Sequence, residues 1–278
     1  MVQKAKSFLI LYLFILAIAA SCSRMKDVSG LVYSINKPGD SKKTYIIGSM
    51  HYIPQKLFNK DDARAFYRYI DDSRIFILEA DFDSYRELQR KFWKEYGLIR
   101  NRDIMSGKEL IYFKTFLRDS LKQSADTIEK ILDSNPILTF GNLTFMYLNE
   151  PMFYMDPYLR SYAKSKNKVI LYLDSPERYY YYLSQYNLLS DKHPWFKNDS
   201  LKNVYFNELN MLFKEYTNGD FLHHNKYKMT SSLELINQRN SEWIPKIKEF
   251  IDNGCCTILV GKGHLDGILK LLIESGYE

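Results

Sequence analysis

Two imidazoles and one carboxylate stand out by where they fall relative to apolar runs. Thr44-Tyr45-Ile46-Ile47 ends at Gly48, and His51 follows three residues later; Thr257-Ile258-Leu259-Val260 ends at Gly261, and His264 follows at the same spacing. A third run, Phe76-Ile77-Leu78, ends on Glu79. In an open α/β sheet, ligands bind beyond the carboxyl ends of the strands, so all three side chains are expected on one functional edge. Gly48 and Gly261, with Gly263 directly before His264, allow the tight turns that swing each imidazole over that edge. A carboxylate at the end of an apolar strand is costly without a partner. Imidazole together with carboxylate suits a divalent transition ion (Mn, Co, Fe or Zn) or a metal-free acid/base pair. If His51, Glu79 and His264 share one ion, their tips should lie within about 4–5 Å of a common centre. The chain has five His; His193, His223 and His224 lack a strand-end context and are expected at the surface.

The elements that must position these residues follow from periodicity and punctuation. Leu31 to Ile35 alternates like a first strand, and Thr44–Ile47, Arg74–Leu78, Lys168–Leu173 and Cys256–Val260 read as further strands. Lys60–Asp72 and Asp156–Lys166 read as helices, and Ser175-Pro176-Glu177 as a helix start with Pro in its first turn. From Ser84 to about Glu150 the pattern is helical, with Asn135-Pro136 as a boundary. Ser231-Ser232-Leu233-Glu234 fits a capping box opening a helix through Arg239 and Trp243, which Pro245 should kink or break. Leu265–Gly276 reads as a last amphipathic helix. The result is an α/β protein with a central, mostly parallel mixed sheet flanked by helices. The two strand-GxxH corners lie at the sheet edge, and a helical insertion falls in the middle.

The 278 residues carry 39 Lys plus Arg against 33 Asp plus Glu, with 46% hydrophobic residues. That composition is globular, and three Cys exclude a disulfide-built mini-fold or a four-Cys zinc module. Lys4 and Lys6 precede an apolar run from Phe8 to Ala20, too short for a comfortable membrane anchor but suited to a signal peptide over 1–21. Ala19-Ala20-Ser21-Cys22 resembles a bacterial lipobox, so Cys22 is the expected lipid attachment point of an exported, membrane-anchored lipoprotein of the cell envelope. Removing 1–21 leaves 37 basic against 33 acidic residues, too mild and too interspersed a balance for nucleic acid. Residues 22–40 form a lipidated N-terminus and short linker, and 41–278 a single domain. Cys255 and Cys256, as neighbours in an extended strand, point to opposite faces and are expected as half-buried thiols, not a disulfide.

With these features in place, the chain resembles the TraB/PrgY/GumN family, which includes the TIKI metalloproteases. Gly48-Ser49-Met50-His51 is similar to the family's G-T-x-H, Leu78-Glu79 to its strand-ending acid, and Met155-Asp156-Pro157-Tyr158-Leu159 to its D-x-x-L helix start. Tyr216-Thr217-Asn218-Gly219-Asp220 resembles the aromatic-x-x-G-D segment, Arg239-Asn240-Ser241-Glu242-Trp243 matches R-N-x-x-W, and Val260 to Gly267 resembles V-G-x-G-H-L-x-G. The chain departs at Leu173-Asp174-Ser175-Pro176-Glu177-Arg178-Tyr179, where the family has L-E-[ST]-x-x-[EQ]-Q, and at Lys262 and Pro245. The resemblance implies a metal-dependent hydrolase, a peptidase acting on a peptide or protein, in which His51, Glu79 and His264 are essential. From the residue types, the imidazoles would hold the ion and Glu79 would either complete its coordination or take the proton of the bound water, with Asp156 behind a His N–H. Arg239 and Asn240 have two readings: donors to an oxyanion or, for Arg239, a buried salt bridge to Glu79 or Asp156 that orients the site. Two alternatives stand beside the metallohydrolase: a ligand-binding lipoprotein of the same fold that captures haem or iron, and a metal-independent His/Glu hydrolase.

Overall fold

The computed structural model describes residues 29–40, 42–81, 100–134, 143–188, 198–218 and 230–278. The expected signal peptide, Cys22, His193, His223, His224 and the Asn135-Pro136 boundary lie outside them.

A five-stranded sheet organises the chain: β1 (Val32–Ile35), β2 (Thr44–Ser49), β4 (Ile75–Leu78), β6 (Val169–Tyr172) and β7 (Cys256–Gly261), in the order β1-β2-β7-β4-β6. β1 runs antiparallel to β2, while β2, β7, β4 and β6 are mutually parallel. This is the mixed, mostly parallel sheet the apolar runs imply. The last strand in sequence is the middle one in space. Ser49 pairs with Gly261 and Leu78 with Leu259, so β2, β7 and β4 end side by side at one edge.

Strand alternation sorts the side chains into two cores. Ile47, Phe76, Leu78 and Leu259 face one side, covered by α1 (Tyr67–Asp71), α5 (Met155–Ser165) and α7 (Asp199–Asn218). Ile46, Ile77, Ile258 and Val260 face the other, covered by α8 (Thr230–Asn253) and α9 (Lys262–Glu274) through Trp243, Ile247, Leu265 and Ile268. Helices α2 (Asn101–Ile104), α3 (Gly107–Asp119) and α4 (Ala125–Leu132) form the inserted unit, with a smaller core of its own around Phe113, Phe116 and Leu132. Helix α6 (Pro176–Leu188) follows β6.

Several local expectations change. The stretch read as one helix over Lys60–Asp72 is a 3-10 turn (Asp62–Phe66) followed by the short α1. Helix α8 runs unbroken through Pro245; a 24-residue helix tied down by Trp243, Ile247 and Ile251 against the sheet outweighs the one backbone hydrogen bond that Pro removes. It begins at Thr230, so Ser231 lies inside it and is not its cap. Only Cys256 belongs to a strand, buried with its Sγ 3.4 Å from Thr44 Oγ1; Cys255 precedes the strand at a φ of 58°, and both thiols are free. A two-stranded ribbon, β3 (Ile53–Pro54) with β5 (Met152–Phe153), is unforeseen, because two-residue strands carry no readable alternation.

β7 is hydrogen-bonded on both sides and fully buried, so its side chains serve both the sheet and the edge beyond it. Ile258→Ala should cost about 2–5 kcal/mol, since it removes a fully buried side chain that neighbours cannot collapse to replace. Urea denaturation measures this; a loss below 1 kcal/mol would mean β7 is not the structural axis.

Candidate functional site

The carboxyl ends of four parallel strands meet at one edge, and each delivers a polar residue there. β2 leads to His51, β7 to Gly261 and, in the first turn of α9, His264; β4 ends in Glu79 and β6 in Asp174. The backbone ties the last two together, as the Asp174 N–H donates to the Glu79 carbonyl at 2.7 Å. Four of these five residues come from the strand-end pattern. Asp174 was missed as part of the site, although Leu173-Asp174 repeats the Leu78-Glu79 signal of an acid closing a strand.

His51 is held by the ribbon. The β3–β5 register pairs Ile53 with Phe153, and the pattern continues to a Met155 N–H bond to the His51 carbonyl at 3.2 Å. This sets the first turn of α5 beside the imidazole, and Asp156 Oδ2 accepts from His51 Nδ1–H at 2.7 Å. Nε2 is thereby turned toward Glu79, 3.9 Å from Oε1. Asp156 is buried, while the His51 side chain is 46% exposed, so the site opens to solvent on the imidazole side. Burial opposes protonation of His51, but Asp156 and Glu79 outweigh it and raise its pKa to about 9.

Glu79 is buried, and each of its oxygens accepts a hydrogen bond. Oε1 accepts the Gly261 N–H at 2.6 Å, and Oε2 accepts from Arg239 Nη2 at 3.0 Å. Burial alone would raise its pKa; His264, Arg239, His51 and the Gly261 N–H overcome that and lower it to about 2. Glu79 therefore stays a carboxylate and is a poor proton acceptor, which favours a ligand or electrostatic role over that of a general base.

Arg239 sits between the acids. Nε and Nη2 donate to Asp174 Oδ2 at 3.2 and 2.7 Å, Nη2 also to Glu79, and Nη1 to His264 Nε2 at 3.2 Å. Arg239 and Trp243 stand one helical turn apart on the same face of α8, so the guanidinium lies over the indole at 4.4 Å, and Trp243 Nε1 donates to Asp174 Oδ1 at 2.6 Å. Of the two partners expected for a salt bridge, Glu79 is the one engaged; Asp174 takes the place of Asp156, which belongs to His51. Four of the five guanidinium N–H groups are spent, leaving one on Nη1 with no partner among the described residues.

His264 is buried against the Trp243 ring, 4.6 Å away, and Asn240 Oδ1 lies 2.7 Å from its Nδ1. Burial is the main reason its pKa falls to about 4, which keeps it neutral in the fold. Of the three tips expected around one ion, His51 Nε2 and Glu79 Oε1 face one another 3.9 Å apart, while Arg239 stands between Glu79 and His264. Among the described residues no three His, Cys, Asp or Glu form a metal-holding group.

The glycines act differently from expectation. Neither Gly261 nor Gly263 has a positive φ; the need at Gly261 is space, because a Cβ there would lie 2.8 Å from His51 Nε2 and 3.2 Å from Glu79 Oε1. At Gly263 a Cβ would meet only Ile236 Cδ1 at 3.7 Å, an ordinary contact. At Gly48 a Cβ would lie 3.0 Å from Leu265 Cδ2 and 3.2 Å from Lys262 Cδ, closer than an ordinary contact.

The sequence model of the TraB/PrgY/gumN family matches residues 31–278, nearly the whole chain. The chain belongs to that family. No curated protein matches it.

Two outcomes follow from this geometry. Gly261→Ala should push the imidazole off Glu79 and abolish whatever chemistry the pair performs, while Gly263→Ala, inside a helix, should be neutral or stabilising by up to about 1 kcal/mol. Equal damage from both, by activity and thermal melting, would show that space at Gly261 is not the constraint.

Stability should also depend on pH in a defined way. The lowered pKa values of Glu79 and His264 mean the unfolded chain binds protons first, so stability falls on acidification, from about pH 6.5 for His264 and from about 4.5 for Glu79. The raised value of His51 gives stability that is fully present below about pH 6.5 and lost as pH rises through 9. Urea midpoints should show Glu79→Gln flattening the acid limb and His51→Gln the alkaline limb; limbs unchanged by either variant would contradict this.

Proposed function

We propose that the protein is an envelope-anchored hydrolase that cleaves a peptide or protein at the His51–Glu79 pair, with a divalent transition ion (Mn, Co, Fe or Zn) as cofactor. The observation that carries this reading is the 3.9 Å gap between His51 Nε2 and Glu79 Oε1, on the solvent side of an otherwise buried cluster. Two donors each about 2.0–2.2 Å from a shared ion can stand that far apart, so this pair fits such an ion. Asp156 holds the proton on Nδ1, so Nε2 is the nitrogen freed for an ion once the imidazolium gives up its second proton, as carboxylates behind metal-binding histidines do. When bound there, the ion would lower the pKa of water to about 7 and supply the nucleophile at neutral pH.

The remaining work falls to residues of this chain. Asp156 orients His51, and the Gly261 N–H and Arg239 keep Glu79 ionised and fixed. The Arg239 N–H that has no partner among the described residues would serve as a preorganised donor for the oxyanion that develops on a scissile carbonyl. Asp174 and Trp243 hold the guanidinium so that it need not reorganise as charge moves. Export and anchoring rest on the leader at 1–21 and on Cys22.

The test is to strip the purified full chain of metal, add back Mn, Co, Fe or Zn, and follow cleavage of a peptide mixture by mass spectrometry. Activity should return with one of these ions, and His51→Ala should lower it by a factor of about 1,000 or more, as expected for loss of a catalytic group. Cleavage that resists chelation yet still needs His51 would replace the metal reading with a metal-independent one; no cleavage under any condition would remove the hydrolase. Lipid labelling in cells checks the anchor: incorporation should vanish in Cys22→Ser, and a wild type that takes up no label would refute it.

A further inference from the structure

We infer that His264 is a positioning residue that holds Arg239 in place and does not ligate the ion; this extends the His51–Glu79 reading above. The argument is one of donors and acceptors. The Asn240 side-chain N–H group donates to the His264 carbonyl at 3.3 Å, and a carbonyl can only accept, so the orientation of the amide is fixed. Its Oδ1 therefore faces His264 Nδ1 at 2.7 Å, and Nδ1 must carry the proton. From the other side, Arg239 Nη1 can only donate, so His264 Nε2 must be bare to receive it at 3.2 Å. Two independent constraints select the same neutral tautomer and occupy both ring nitrogens.

The surroundings are shaped for this arrangement. A Cβ at Gly267 would lie 2.3 Å from Asn240 Nδ2, so the absence of a side chain one turn along α9 makes room for the amide. Asn240 follows Arg239 in sequence, which turns it toward α9 while Arg239 stays over the strand ends. Freeing Nε2 for an ion would strip Arg239 of one of its three partners and bring a cation beside a guanidinium that is itself only 7% exposed. A ligand of this kind would work against the charge that fixes Glu79.

Glutamine separates the roles, because its amide can accept from Arg239 and donate to Asn240 but is a poor substitute for an imidazole ligand. Zinc titration of the full chain should show His264→Gln within about threefold of the wild-type affinity, as for an independent site. His51→Ala should instead lose about a hundredfold or more, as a lost ligand would. In peptide cleavage, His264→Gln should retain more turnover than His264→Ala. Nitrogen NMR of histidine-labelled protein should show His264 as the Nδ1–H tautomer, with resonances unmoved by zinc while those of His51 shift. Loss of zinc binding in His264→Gln as complete as in His51→Ala, or a zinc-induced shift at His264 Nε2, overturns the inference. Should the wild type take up no zinc, the metal part of the proposed function fails. The tautomer then still decides the role of His264: Nδ1–H supports it, and Nε2–H or a doubly protonated ring refutes it.

Discussion

Arg239 brings one buried positive charge between two buried carboxylates, Glu79 and Asp174, that close neighbouring strands, and the arrangement of the sheet's edge depends on it. Two carboxylates brought together without it would repel and one would take up a proton. Burying an ion pair gains little net stability, but removing one partner leaves an uncompensated charge that costs about 3–5 kcal/mol. The cluster therefore contributes arrangement more than stability: it specifies which strand ends sit together and which oxygen of each acid faces where. Trp243 completes it by covering the guanidinium with its ring and donating its indole N–H to Asp174.

Charge and exposure are divided unevenly around that cation. On one side His264, Asn240 and Trp243 form a closed, neutral wall in which every polar atom of the imidazole is accounted for. On the other side His51 is half open, backed by Asp156, and faces the inner acid across a gap. Two histidines with the same spacing after the same kind of strand thus end in opposite environments. The difference comes from their neighbours: β2 is followed by a ribbon that brings in a carboxylate, while β7 runs straight into a helix packed against α8.

Much of this edge was legible in the sequence, and the reasons are specific. Apolar runs ended by Gly48, Gly261 and Glu79 mark strand ends because β-rich stretches must stop where polar chemistry begins, and parallel pairing then forces those ends together. Two layers of helix follow from runs apolar at every position, such as Phe76-Ile77-Leu78. What could not be read is partner choice. Arg239 can reach several acids, and only the packing of α8 over β6 selects Asp174. The ribbon that aims Asp156 at His51 is two residues long on each strand, below the length at which alternation is visible. The glycine at 261 advertised a sharp turn, whereas its actual requirement is the room taken by side chains that arrive from elsewhere.

The placement of β7 has a consequence for biogenesis. β2 and β4 are made early and separated by the strand that belongs between them, which is synthesised after every other strand. Until it arrives, each presents an unpaired edge toward the vacant position, with backbone groups open to any passing strand. Long-range parallel pairing of this kind is slow, because the intervening chain must be closed into a loop before any contact rewards it. Gly261 and His264 come in the same stretch as β7, so a nascent or truncated chain lacks the amide that fixes Glu79 and the ring that fixes Arg239. Assembly of the edge is thereby coupled to the synthesis of β7: until that stretch is made, neither Glu79 nor Arg239 has the partners that fix it.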